Sequence, residues 1–466
     1  MGGASIPYNA RDYDAIRAEL VARIPSLTDR WTDFNPTDPG IVLLELFCGV
    51  AEMLFQYIDE QTAEAFLPTA RQRQNVLNLC KLIAYRLRGP VCATVDLRFS
   101  LPVALDGDFT IPAGTVCRAR LDDGDVWFET AEDLVILSGQ TEGTVSARQG
   151  RRKTEEFVMP ATVRLTAKKV ASESIRVIVD GVPWEEVTSF HESRRDSLHF
   201  LAETDGNDVT TVTFGDGVSG SKPATGDRVV VDYLETLASE GNIGARLITD
   251  LVTPLYHDGQ LVTVHVTNPR PATGGAEAET IDFARYQAPA ELRTSWRAVT
   301  KEDYKTLVEG YPGVAKAQIL DTNDCLNIRY YTVNIAVAPN GGGLPSALLK
   351  KDLADYLESR RVITTQVNLY DPSYREVAID AELFAYTGED LDAVRARAET
   401  ALADFFAFDR MDFGTPVRIS DVVALLDGVR GVSYVQLFLP ASDLITRPGE
   451  IPVLGPLQLT VKRAQG

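Results

Sequence analysis

The chain has 466 residues, room for about three domains of ordinary size, and its 45% hydrophobic and 24% charged residues are the balance of a folded globular protein. With 66 acidic against 46 basic side chains, the net charge of −20 repels phosphate backbones and argues against nucleic acid as a partner. The five cysteines (Cys48, Cys80, Cys92, Cys117, Cys325) are scattered without metal-binding or redox spacing, and read as reduced, buried residues of a cytosolic protein.

The N-terminus has no basic region followed by an apolar run, so it reads as no secretory signal, and Ile6 stands where a myristoylation motif beginning at Gly2 wants Ser or Thr. Residues 1–90 read as helical. A first helix from Asp12 to Arg23 places Tyr13, Ile16, Leu20 and Ile24 on one face, and Pro25 is expected to end it. In NPTDPG, Thr37 or Asp38 can cap a second, long helix with Pro39 in its first turn. That helix, to about Phe66, is apolar nearly all round except for Glu45, Glu52 and Asp59, which recur every seven residues as one acidic stripe. These acids argue against a membrane span, and the stripe is expected to be solvated or paired with a neighbouring helix. A third helix, Arg71 to Tyr85, would present Val76, Leu79, Leu82 and Ile83.

From 91 to 267 the texture turns to short β-rich runs such as ATVDLRFSL, VWFET, SIRVIVDGVPW and RVVVDYLETL, the pattern of a β-dominated domain. The polar, Arg-rich stretch Gln140 to Lys169 is expected to be an exposed hairpin, and NPRPATGGA from Asn268 a linker. Residues 268–466 read as α+β. Helices are expected at Thr300 to Glu309, Ser346 to Ser359, Leu391 to Phe406 and Ile419 to Leu426. Strands are expected at Val314 to Leu320, Arg329 to Ala338, Tyr374 to Tyr386 and Val432 to Leu439, in a largely antiparallel sheet. A faint internal repeat matches LVEGYPGVAKAQI from Leu307 with LLDGVRGVSYVQL from Leu425. It predicts one helix, turn and strand twice in one sheet, with the first glycine of each turn, Gly310 and Gly428, in the left-handed region.

Chemistry-bearing motifs are missing. His191 and His199, like His257 and His265, stand eight residues apart, about 26 Å along a strand and too far to share a metal. FGDGVSGSKPATG from Phe214 lacks the GK[ST] ending of a phosphate loop, and no serine sits in a GxSxG elbow. We expect no catalytic residue, no metal and no cofactor, hence no enzyme.

The strings NPTDPGIVLLELFCGVAEML, AFLPTARQRQNVLNLCKLIAYRLRGP, TIPAGTV with VWFET, TFGDGVSGSKPATGDRVVVDY and, most specifically, APAELRTSWRAVTKEDY from Ala288 resemble, in order over nearly the whole chain, the baseplate J family of contractile phage tails and related injection systems. The resemblance implies a structural wedge subunit that pairs with a second copy or a paralogue through helices. It also implies a link into a six-fold ring around the central hub, near sheath-initiator proteins, in a particle assembled in the bacterial cytoplasm. It supplies no catalytic residues. Leu44, Phe47, Leu54 and Tyr57 on the long helix are the expected partner-binding positions, although core packing explains the same residues. The other reading is a receptor- or glycan-binding tail protein that uses the central β-rich domain; the strand and turn contexts of Trp127 and Trp184 suit a core better.

Overall fold

The computed structural model describes residues 12–83, 85–122, 124–159, 162–171, 174–205, 209–294, 297–320 and 331–464; Gly2, Ile6 and Cys325, singled out above, lie outside them. The chain forms two compact units: residues 1–87 with 280–289, and 88–279 with 290–466. The architecture is the expected one: N-terminal helices, a β-rich centre and a C-terminal α+β region.

In the first unit, α1 (Tyr13–Leu27) starts at Asp12, whose carboxylate accepts from the Ala15 amide at 2.9 Å. Pro25 does not end the helix, which continues to Leu27; a proline in the last turn gives up one amide, and Thr28 N still reaches Ile24 O. α2 (Pro39–Glu64) is capped by Asp38, which accepts from the Gly40 and Ile41 amides, with Pro39 in its first turn. α3 (Arg73–Leu82) is shorter than expected. The Glu64 carboxylate takes up the Arg71 and Gln72 amides just before it, and the helix buries Val76 and Cys80 while Leu82 is exposed. α4 (Ile281–Thr294), of which residues up to Pro289 belong to this unit, overlaps the start of the string most specific to the resemblance, carries an interior Pro289 and was not anticipated.

The β-rich centre is two closed or nearly closed sheets. In the first, six antiparallel strands run in the order 248–251, 116–121, 124–130, 142–149, 94–100, 265–267, and the outer two approach each other around a core of Phe99, Phe109, Phe128 and Ile248. The second has seven strands in the order 151–158, 228–235, 176–179, 182–186, 199–204, 210–214, 163–164 around Phe200, Val229, Val231 and Tyr233. Gln140 to Lys169 is therefore no exposed hairpin. Glu142–Gln149 pairs in the first sheet and Arg151–Val158 in the second, with Gly150 at φ +151 between them. The charges are spent at that crossing: Arg152 pairs with Glu129 and with Asp232, and Lys153 with Glu235 at 2.9 Å. Nor is NPRPATGGA free. Asn268 is buried, donates to Gly244 O and Arg270 O, and accepts from Ile248 N.

Inside the second barrel the Tyr233 hydroxyl bonds the Glu155 carboxylate, which also accepts from Thr166. Burial first, and then that carboxylate, push Tyr233 up to about 12. Burial also pushes Glu155 up, but the bonds from Tyr233 and Thr166 outweigh it and hold Glu155 below its usual range. The neutral tyrosine thus contributes stability that is complete below its ordinary value of 10.0 and is lost as pH rises through about 12. Tyr233→Phe should cost about 1–2 kcal/mol at neutral pH and flatten this alkaline limb, which urea unfolding across pH would read.

The C-terminal region holds α5 (Lys301–Glu309), β1 (Val314–Leu320), β2 (Thr332–Pro339), α6 (Ala347–Glu358), β3 (Gln366–Tyr370), β4 (Ser373–Ala385), α7 (Leu391–Phe405), α8 (Ile419–Asp427), β5 (Val432–Leu439) and β6 (Glu450–Arg463). It makes not one antiparallel sheet but two mixed ones, β1-β2-β3 and β5-β4-β6, each with a central strand flanked by one antiparallel and one parallel neighbour. The repeat is visible hydrogen bond by hydrogen bond. Gly310 N→Thr306 O, Tyr311 N→Val308 O and Val314 N→Tyr311 O recur as Gly428 N→Ala424 O, Val429 N→Leu426 O and Val432 N→Val429 O. Two expectations fall. The left-handed glycine is the second of each turn, Gly313 at φ +88 and Gly431 at φ +98, while Gly310 and Gly428 stay right-handed. The repeated strands, β1 and β5, edge different sheets. The halves match in strand order and direction, but their chain order is permuted: in the first, α5-β1 precede the central strand and its helix, and in the second, α8-β5 follow them.

Candidate assembly interface

α2 is built inside out for a surface helix. Two acids of its stripe meet α1: Glu45 pairs with Arg17 at 2.9 Å, and Glu52 accepts from the Tyr13 amide at 3.3 Å. At 3.6 residues per turn, Leu43, Val50 and Tyr57 fall on roughly the opposite side from Glu45, Glu52 and Asp59. That opposite side is apolar and exposed, and only Ile41 and Cys48 of the helix are buried.

Of the four expected partner-binding residues, Phe47 (69% exposed), Leu54 (60%) and Tyr57 (68%) lie on the open face, whereas Leu44 is half-buried. The sequence reading missed Leu43, Leu46, Val50, Met53 and Ile58, which complete the face. The signal was available in the stripe, because once α1 offers a basic residue to Glu45, the side opposite must be the open one. Among the described residues, α2 is also the one helix long and apolar enough to cross a bilayer by length and composition.

Both tryptophans of the β-rich centre are half-buried and make contacts within it. The guanidinium groups of Arg118 and Arg151 lie 5.3 and 5.9 Å from the Trp127 ring, and Arg118 also pairs with Asp125 and Asp250. Trp184 packs edge-on against Phe214 at 5.1 Å. His199 bonds Ser193, and His257 packs on Phe109. Cys48, Cys80 and Cys117 are buried, and Cys92 is half-buried.

Family models match three stretches: a bacteriophage baseplate protein N-terminal domain at residues 12–82, a baseplate J-like central domain at 296–370 and a baseplate J-like protein C-terminal domain at 377–460. The chain belongs to the baseplate J family. Among its relatives, baseplate wedge protein gp6 of Enterobacteria phage T4 is 23% identical over 371 residues, 72% of this chain but 54% of gp6, so the chain spans about half the length of that relative. The phage-like element PBSX protein XkdT of Bacillus subtilis (strain 168) is 22% identical over 81% of this chain and 96% of its own length. A chain of the anti-feeding prophage baseplate aligns with 94% of this one and 89% of itself at 14% identity and a TM-score of 0.37. The N-terminal model covers α1, α2 and α3, so the open helix face belongs to the baseplate domain itself. A structural role in a baseplate follows from the family.

Proposed function

We propose that the chain is a wedge subunit of a contractile tail or contractile injection system, carrying no catalytic centre, metal or cofactor of its own. It grips another wedge subunit through the apolar face of α2. It links laterally into a six-fold ring around the hub, next to sheath-initiator proteins, in a particle assembled in the bacterial cytoplasm.

The observation that carries this reading is the orientation of α2. Burying one Leu, Phe or Met side chain is worth about 1.5–3 kcal/mol, and α2 leaves a whole face of them in water while Glu45 and Glu52 are turned to α1. Partner helices that cover the face recover that energy.

Phe47→Asp with Leu54→Asp tests it, since both positions are exposed and the chain should fold and melt as before. Co-expressed with the other baseplate subunits, the variant is expected to lower the yield of assembled particles about tenfold or more. Normal yield would sink the reading. Flotation of the wild-type chain with lipid vesicles, lost in the variant, would instead make α2 a membrane element.

A further inference from the structure

We propose that the first barrel and the first C-terminal half form a latched hinge, turning on a junction of glycines and held shut by the ion pair of Arg148 with Asp352. The device goes beyond the wedge reading and does not use α2.

The two bodies share no core. The buried cluster of the first barrel draws on residues 93–272 and that of the first half on residues 298–357, so what joins them is polar. Bodies without a large apolar interface turn against each other by default. Between them lies a cavity of about 340 Å³, with Cys92, Thr94 and Arg148 on the barrel side and Tyr311, Leu349 and Asp352 on the other.

The pivot is backbone. Gly274 and Gly313 line the cavity, and Asn340 ties them together: Gly274 N donates to Asn340 O, and Asn340 N to Gly313 O, each at 2.9 Å. Gly274 and Gly313 stand at φ +90 and +88, and the three residues after Asn340, Gly341, Gly342 and Gly343, are all left-handed at φ +81, +77 and +77. Glycine moves through φ and ψ at little steric cost, so a run of three beside these two hydrogen bonds lets the chain rotate there with no side chain of its own to collide.

The latch is ionic. Arg148, on the strand 142–149, meets Asp352 of α6 at 3.0 Å, and Lys351 next to it meets Glu132 at 3.7 Å. The Arg148 and Asp352 side chains are 38% and 35% exposed, so water screens the pair and its hold is weak. A fully buried pair would fix the two bodies, whereas this one releases them at small cost. Thr94 Oγ1 and Ser346 Oγ, 2.7 Å apart, add one hydrogen bond that water can replace.

Cys92 lines the cavity half-buried, so its thiol reports the opening. The full chain is treated with iodoacetamide, a small neutral reagent, and alkylation of Cys92 is followed by mass spectrometry. Asp352→Lys sets two cations against each other and should raise the rate about fivefold or more, while hydrogen exchange in residues 116–130 and 332–339 stays as slow as in the wild type. Arg148→Asp with Asp352→Arg restores an opposite pair and should bring the rate back to within about twofold of the wild type. Salt at about 1 M, which screens charges beyond about 3 Å, should speed the wild-type reaction as well. A rate unmoved by Asp352→Lys or by salt, a swapped pair as reactive as the single variant, or a rise that comes with lost exchange protection in either body would each overturn the proposal.

Discussion

Gly313→Val and Gly431→Val are each expected to destabilise the C-terminal region by about 3 kcal/mol or more, while Gly310→Ala and Gly428→Ala change it by less than about 1 kcal/mol. The difference lies in the backbone. Gly313 and Gly431 occupy the left-handed region at φ +88 and +98, where a branched side chain is strained whatever the space. Space is short as well. A Cβ at Gly431 would lie 2.9 Å from Glu389 Oε2 and 3.0 Å from Val394 Cγ2, and one at Gly313 3.2 Å from Leu349 Cδ1. Gly310 and Gly428, at φ −70 and −73, close their helices in an ordinary right-handed conformation that alanine adopts freely. Because the chain is built of several bodies, a single melting temperature would blur the effect. Hydrogen exchange at residues 307–319 and 425–437 reads each half by itself, and equal protection in the Gly431→Val variant and wild type would refute the account.

How much of this was legible beforehand follows a physical line. β1 and β5 were placed to the residue, and α5 and α6 with their caps Thr300 and Ser346, because there local signals and tertiary packing agree: a capping residue, an apolar helix face, a glycine turn, then β-branched and aromatic residues. The reading failed where partners far along the chain decide. β6, fourteen residues containing two prolines, was not among the expected strands; an edge strand uses the donors of only one side and tolerates them. The polar, Arg-rich composition of Gln140 to Lys169 suits an exposed hairpin and a crossing between two barrels alike. Only the distant partners, residues 94–100 for one arm and 228–235 for the other, separate the two cases. The repeat was legible as sequence, but its distribution over two sheets was not, because permuted chain order leaves the local pattern unchanged.

The candidate interface was half legible for a related reason. Periodicity alone marks α2 as apolar all round with one acidic seam, and it is silent on which side meets the rest of the molecule. A seam of acids is ordinarily taken as the wet side. Here Arg17 and the Tyr13 amide, at the start of another helix, engage Glu45 and Glu52, as the paired alternative expected, and Leu44 is half-buried while Phe47, Leu54 and Tyr57 remain outside. Three of the four expected residues were on the open face because the apolar arc is wide. Choosing the whole face would have required pairing charges between helices before choosing hydrophobic positions.

Lys316→Met should destabilise the C-terminal region by about 2–4 kcal/mol, an effect large for a lysine. The side chain is 12% exposed, and its ammonium donates to Phe408 O and Met411 O, each at 2.6 Å, besides lying 3.0 Å from Asp412. The Asp412 carboxylate is 77% exposed, so that ion pair contributes little. The two carbonyls decide the magnitude. They belong to the turn after α7 in the second half, and methionine would fill the space of the lysine stem while leaving both without their donor, at about 1–3 kcal/mol each. The loss should appear as a loosened contact between the halves and not as unfolding of either one. Exchange should therefore rise at residues 406–412 and in β1, with β4 and its helices still protected. Asp412→Asn, which keeps both carbonyl bonds, should cost less than about 1 kcal/mol, so two variants of equal cost would show that the ion pair, and not the carbonyls, holds the halves together.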